Sequence, residues 1–254
     1  MTDHAAAAKQ LAEALALCMP PIAVGLADAP PEGVPAAEGS VPAGCAFWER
    51  AAKGAFATTA ADHARCAIGL HTHAMALDEA AQTDLQDALA VFADLGYVRP
   101  EEVPGIPVLK KPTACVVYGP LGDPKVSPDV VLLFADARQS LIITEAAQQV
   151  SDGAPPALGR PACAIVPQVV NTGAVTLSLG CCGARAYLDA LTDDVALWGI
   201  PAGLLERFTE RVVALAGANR TLGRFHELRR GDVEAGGSPS IKQSLARLQE
   251  SASR

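Results

Sequence analysis

Val131-Leu132-Leu133-Phe134-Ala135-Asp136-Ala137 reads as an apolar strand that ends in Ala-Asp-Ala, and the chain carries the same pattern earlier, in Ala23-Val24-Gly25-Leu26-Ala27-Asp28-Ala29. After each copy a Cys-Ala opens a helix-length segment, from Cys45 in the first half and from Cys163 in the second. A Gly-Ala then begins a strand ending in hydroxyls, Gly54 to Thr59 and Gly173 to Ser178, and a second cysteine stands just beyond, Cys66 and Cys181. Internal repeats fix architecture before any other signal does. The pattern predicts an α+β (mixed α/β) fold: two pseudo-symmetric β-helix-β half-domains, about residues 21–75 and 128–190, in one compact domain with C-terminal helices. If the halves pack about a pseudo-twofold axis, Cys45, Cys66, Cys163 and Cys181 converge on one place. The echo is not uniform, since the step from Asp28 to Cys45 is ten residues shorter than that from Asp136 to Cys163.

The 254 residues suffice for a substantial core, read as one domain over 1–230 and a polar tail over 231–254. Half the residues are apolar but only 4% are aromatic, so Ala, Val and Leu must build that core. No apolar run approaches the ~20 residues of a membrane span. The stretch from Leu11 to Cys18 is broken by Glu13 and lacks a basic leader, so it does not read as a signal peptide. A cytoplasmic protein is expected. A net charge of −8 opposes phosphate neutralisation, so nucleic acid is not an expected partner, and neither is a membrane. A small-molecule substrate or a redox partner is expected instead, and self-association into a homo-oligomer stays open. Arg220, Arg224, Arg229 and Arg230 on one late helix read as a solvated face.

Thr2-Asp3 caps a predicted helix running to Cys18, stopped by Pro20-Pro21. Ile22–Leu26, Ala55–Thr59, Thr113–Tyr118, Val130–Ala135 and Ala174–Leu179 read as strands. Asp78 caps an amphipathic helix with Ala81, Leu85, Leu89 and Phe92 on one stripe, closed by Gly96. Asp62–Met75 reads as a loop or short turns, Arg138–Val150 as a helix, and Gly180-Cys181-Cys182-Gly183 as a turn feeding a helix over Ala184–Leu191. Pro201 begins a further helix, and the polar tail past Gly231 reads as a loosely attached one. No Gly-x-Gly-x-x-Gly turn follows a strand, which argues against a dinucleotide-binding domain.

Seven cysteines in a reducing compartment serve as metal ligands, catalytic groups or small core residues rather than as disulfides. Cys18 and Cys115 read as core filler. The other five read as metal or redox groups. Thiolates select zinc, copper(I) and iron–sulfur clusters, and structural zinc sites bring cysteines in close Cys-x-x-Cys pairs, absent among Cys45, Cys66, Cys163 and Cys181. Dispersed single cysteines suit a buried [4Fe–4S] cluster, with zinc as the alternative metal. At helix starts, amides and the dipole would favour the thiolate. Cys181 is preferred over its neighbour Cys182, although both stand as metal candidates. Arg185 is the candidate to hold an anionic substrate and His71 a further catalytic candidate; His71 and His73, at spacing two, could both lie near Cys66, where imidazole binds zinc or iron. Asn171, Tyr118, Lys110 and Trp48 are weaker candidates.

Cys45-Ala-Phe-Trp-Glu-Arg-Ala-Ala-Lys-Gly54 resembles a motif of the domain of unknown function 169 (DUF169, ArCR) family of archaea and bacteria. So do Tyr118-Gly-Pro-Leu121, Pro128-Asp-Val-Val-Leu-Leu-Phe134, and Thr172-Gly173 with Ser178-Leu-Gly-Cys-Cys-Gly-Ala-Arg185. The likeness runs from about Pro21 to Leu215. It implies a cytosolic prokaryotic protein whose motif cysteines correspond to Cys45, Cys66, Cys163 and Cys181, with Cys182 an individual departure. It confers no activity.

The leading expectation is an iron–sulfur protein. Four bound thiolates would give a closed cluster for electron transfer or bracing. Three would leave one iron as a Lewis acid for a lyase or dehydratase acting on a small anion. The alternatives are a zinc- or thiol-dependent enzyme with Cys181 or Cys182 reactive, and a small-molecule binding or sensing module whose cysteines are structural.

Overall fold

Period-two alternation builds a seven-stranded sheet around one antiparallel pair. In the computed structural model, which describes residues 3–38, 44–63, 66–181 and 183–252, β1 (Ile22–Ala27) lies beside β4 (Val130–Ala135), with Ile22 opposite Leu132. Outward from β1 come β3 (Cys115–Pro120) and then β2 (Phe56–Thr58), both antiparallel to their neighbours. Outward from β4 come β7 (Ala196–Pro201), β6 (Thr176–Ser178) and finally β5 (Ala157–Leu158), which pairs parallel. The fold is mixed α/β.

Every residue of β4 is buried because both faces of the sheet are covered. Val131, Leu133 and Ala135 point to the face covered by α1 (His4–Leu15), α5 (Ala137–Val150) and α7 (Leu205–Glu234), where Leu11, Ile143, Phe208 and Trp198 complete a core. Val130, Leu132 and Phe134 point the opposite way, with Ile22 and Val24. That second face is covered by α2 (Phe47–Ala51), α3 (Ala67–Thr72) and α6 (Ile165–Thr172), and it holds Cys45, with Cys181 packed against it. Burying one Leu or Phe fully in either layer contributes roughly 1.5–3 kcal/mol. Gly199 of β7 lets α6 lie close to the sheet: a Cβ there would stand 2.8 Å from Val169 and 3.0 Å from Ile165.

Local chemistry sets the helix starts. Asp3 accepts from the Ala6 amide at 3.0 Å, and Asp78 accepts from the Ala81 amide at 2.8 Å to begin α4 (Glu79–Asp94). Asp136 and Gln139 close a reciprocal capping box at 2.7 and 2.8 Å. The Ala-Asp-Ala motifs therefore diverge in use, since Asp136 caps α5 whereas Asp28 leads into a loop.

Several expectations need correction. α1 ends at Leu15, where Ala16 turns left-handed (φ 53°), so Cys18 lies beyond the helix and is exposed rather than core filler. The segment before Met75 contains the helix α3. On α4 only Ala81 is buried, and Leu85, Leu89 and Phe92 stay half-buried. The helix after the cysteine turn is a single wide turn, Gly183–Tyr187. β7 was not foreseen: Ala196–Pro201 is a strand, and the helix expected from Pro201 begins at Leu205. α7 runs to Glu234, through the expected boundary at 230. Beyond it α8 (Ile241–Ala252) packs on α7, with Ser244 buried and Arg247 paired to Asp232, so the tail is an attached helix. Among the described residues no helix is long and apolar enough to cross a membrane.

Candidate metal centre

Two short turns bring the first pair of sulfurs together. Gly44–Ala46 and Ala162–Ala164 are single 3-10 turns that lead into α2 and α6, and they touch each other on the same face of the sheet. Cys45 and Cys163 are both buried there. Cys66 is the N-cap of α3, and its Sγ accepts from the Gly69 amide at 3.3 Å. A Cβ on Gly69 would stand 3.0 Å from that sulfur and 3.6 Å from His63 Nδ1, so the missing side chain keeps the space between them open. Cys181 follows β6 after Gly180, whose φ of +86° only glycine adopts readily. Cys66 and Cys181 are half-buried, which makes them the rim of the group.

The four thiols act on one another. The Cys45 thiol donates to the Cys181 sulfur; that bond, then burial, then the Cys163 charge hold Cys45 well above the usual thiol range. Cys181 moves the other way, to about 5, chiefly through that same bond and then through backbone hydrogen bonds from Ala162, Ala184 and Gly183. Burial pushes Cys163 up, and the neighbouring Cys66 adds to it. Cys45 and Cys163 are thus held as neutral thiols, while Cys181 is favoured as a thiolate. The donor set fits a soft metal centre. Among the described residues no three Cys, His, Asp or Glu side chains stand close enough to hold a single ion.

Aromatic residues are scarce in the chain, yet Phe47, Trp48, Phe56, Tyr118 and Phe134 gather beneath these sulfurs. Phe47 packs edge-on to Phe56 and His63, Tyr118 stacks on Phe56 at 5.8 Å, and Trp48 leans on Phe134 at 5.6 Å. Burial first, and then Cys45, Cys163 and Cys66, push the Tyr118 phenol up. A void of about 10 Å³ lies between Trp48, His73, Tyr118, Cys163, Ile165 and Val166.

The chain matches the family model DUF169, described as uncharacterised ArCR, over residues 10–211. It belongs to the DUF169 family. The resemblance carried by the sequence motifs is thereby borne out, and the match starts earlier than Pro21. Neither a curated protein nor a solved structure matches the chain.

In this DUF169 chain Cys45, Cys66, Cys163 and Cys181 are brought together, while Cys182 lies outside the described residues. Cys115 is buried within β3 beside Ala57 and Val117. Arg185 is near Cys181, but its guanidinium is engaged by main-chain carbonyls. Nε and Nη2 donate to Leu179 at 3.2 and 2.7 Å, Nη2 donates to Val195 at 2.8 Å, and Nη1 donates to Thr192. It is a clamp on the Cys181 loop rather than an anion holder. His71 is half-exposed, whereas His73 is buried, because side chains two apart on a helical turn diverge. The inward histidines are His63 and His73, each held near 4 by burial, with His73 also lowering His63. His63 was missed; its position three residues before Cys66, in a 3-10 turn ahead of a helix cap, was the available signal. Of the weaker candidates, Trp48 and Tyr118 line the void. Lys110 and Asn171 are bonded to each other in a separate pocket of about 510 Å³ that also includes Asp28, Lys111 and Asp129.

Proposed function

We propose that this chain is an iron–sulfur protein in which Cys45, Cys66, Cys163 and Cys181 hold a [4Fe–4S] cluster against the aromatic layer. One observation supports the reading: Cys45, Cys66, Cys163 and Cys181 come from four separate segments, and the last three lie near enough for their charges to act on Cys45, which also donates to the Cys181 sulfur. A single tetrahedral zinc needs sulfurs about 3.8 Å apart, and no three candidate ligands among the described residues meet a one-ion spacing. A cluster several ångströms across takes a wider set. When bound, such a cluster supplies one-electron transfer, or Lewis acidity where an iron lacks a fourth protein ligand. The redox role is the better supported, because Arg185, expected to hold a small anion, is committed to carbonyls. The duplication belongs to the same proposal: β1, α2 and β2 correspond in order to β4, α6 and β6, and the strands hold matching ranks either side of the central pair.

A second reading rests on the Cys181 sulfur, which receives hydrogen bonds from Cys45 and from three backbone groups, as a thiolate nucleophile would. The test is anaerobic purification with iron, sulfide and zinc determined alongside the visible spectrum. Roughly four iron and four sulfide per chain with broad brown absorption is expected. Colourless protein that takes up no iron on reconstitution would overturn the cluster and leave the thiol reading.

A further inference from the structure

The connector before β3 is held as a wall rather than left as a loose loop. The Leu109 amide donates to the Thr72 carbonyl at 2.9 Å and the Thr113 amide to the Ala74 carbonyl at 3.3 Å, and both Leu109 and Thr113 are buried. From the other side Asn171, near the end of α6, donates through Nδ2 to the Val108 carbonyl at 2.7 Å, and its Oδ1 accepts from the Lys110 amide at 3.3 Å. Between these anchors Lys110 and Lys111 are exposed. They line the pocket of about 510 Å³, a volume suited to a small molecule.

The opposite sign of charge lies in the same pocket. Asp28 follows β1, Asp129 precedes β4, and both line it. Asp129 is fixed in place: its Oδ2 accepts from the Leu26 amide at 2.7 Å, and its own amide donates to the Val24 carbonyl at 2.9 Å. Among the described residues the Lys111 ammonium and the Asp28 carboxylate have no hydrogen-bond or ion-pair partner, and Lys110 Nζ has only the Asn171 carbonyl, at 3.3 Å. Two ammonium groups and two carboxylates thus share one cleft without pairing across it. A simple anion would meet the lysines but also face the aspartates, and a simple cation would meet the reverse. A ligand carrying both charges is attracted at both ends. Leu26, Leu109, Pro112 and Val170 supply apolar surface for the rest of it.

We infer that this pocket binds a small zwitterion of the amino acid class with an apolar side chain, its carboxylate taken by Lys110 and Lys111 and its ammonium by Asp28 and Asp129. The inference stands apart from the metal reading and uses none of the four cysteines. The experiment titrates the full chain calorimetrically with L-valine, L-leucine, L-isoleucine, L-methionine and L-phenylalanine, and then titrates any that binds against its analogues lacking the ammonium or the carboxylate. Binding of at least one amino acid is expected, weakened roughly tenfold or more by removal of either charged group. Lys111→Met is expected to weaken the amino acid and its carboxylate-only analogue, and Asp28→Asn the amino acid and its amine-only analogue. Both side chains are exposed, so the urea midpoint of the unliganded variants is expected to match that of the unmodified chain. Binding of none of the amino acids, a carboxylate-only analogue that binds as tightly as its amino acid, or binding untouched by both substitutions overturns the inference.

Discussion

The thiol of Cys45 donates a hydrogen bond to the sulfur of Cys181, across 135 intervening residues' worth of chain that includes most of the sheet. It raises the first thiol and lowers the second, to about 5. In metal-free protein Cys181 is therefore expected to be alkylated by iodoacetamide well below neutral pH, ahead of Cys45 and Cys163. Cys45→Ala should shift the Cys181 pH–rate profile upward. Peptide mapping against pH checks this, and a Cys181 profile centred near the ordinary thiol range in the unmodified chain would contradict the bond.

The histidines give metal-free protein an acid-sensitive stability. His63 and His73 both titrate near 4 in the fold against ~6.5 unfolded. Between those values the unfolded chain binds more protons, so stability is full above ~6.5 and falls as pH drops toward 4. Each should contribute about 2 kcal/mol of loss at pH 5. Urea midpoints at pH 7.5 and 5 in the metal-free chain and in His63→Leu measure it. An unchanged pH slope in the variant would remove His63 from the account.

Arg185 fixes the loop that carries Cys181 to the segment before β7. Arg185→Met should destabilise by about 2 kcal/mol and reduce iron retention, and Arg185→Lys should not restore either, since one ammonium cannot span Leu179, Thr192 and Val195. Unaltered urea midpoints and iron content in Arg185→Met would show that the clamp is dispensable.

Gly69→Ala separates stability from metal binding. Alanine favours a helix over glycine by up to about 1 kcal/mol, but its Cβ would stand 3.0 Å from Cys66 Sγ. Metal-free stability is expected to hold or rise slightly while iron occupancy falls. Full occupancy with the unmodified spectrum would mean that the space beside Cys66 is not part of the centre.

Much of this was legible in sequence because it is local. Ile22–Ala27 and Val130–Ala135 announce strands through their apolar runs, and Asp78 and Asp136 announce helix starts through side chains that reach amides three residues on. β7 was not legible. Its Ala196-Leu-Trp-Gly-Ile-Pro201 has few β-branched residues, and it is a strand because β4 on one side and β6 on the other take its hydrogen bonds.

The sequence by itself determined most of the strands and the helix caps, and it singled out four cysteines as candidates, since each of these depends on residue type and near spacing. Only the tertiary structure decided what surrounds them. Whether His71 or His73 faces inward depended on Asp62–Met75 containing a helical turn rather than a loop. Whether Arg185 is free for a ligand depended on three carbonyls positioned by the path of the chain into β7. That Cys45 meets Cys181 followed from the packing of two distant turns on one face of the sheet, because long-range contacts arise from burial and strand pairing and leave no periodic trace in the residues between them.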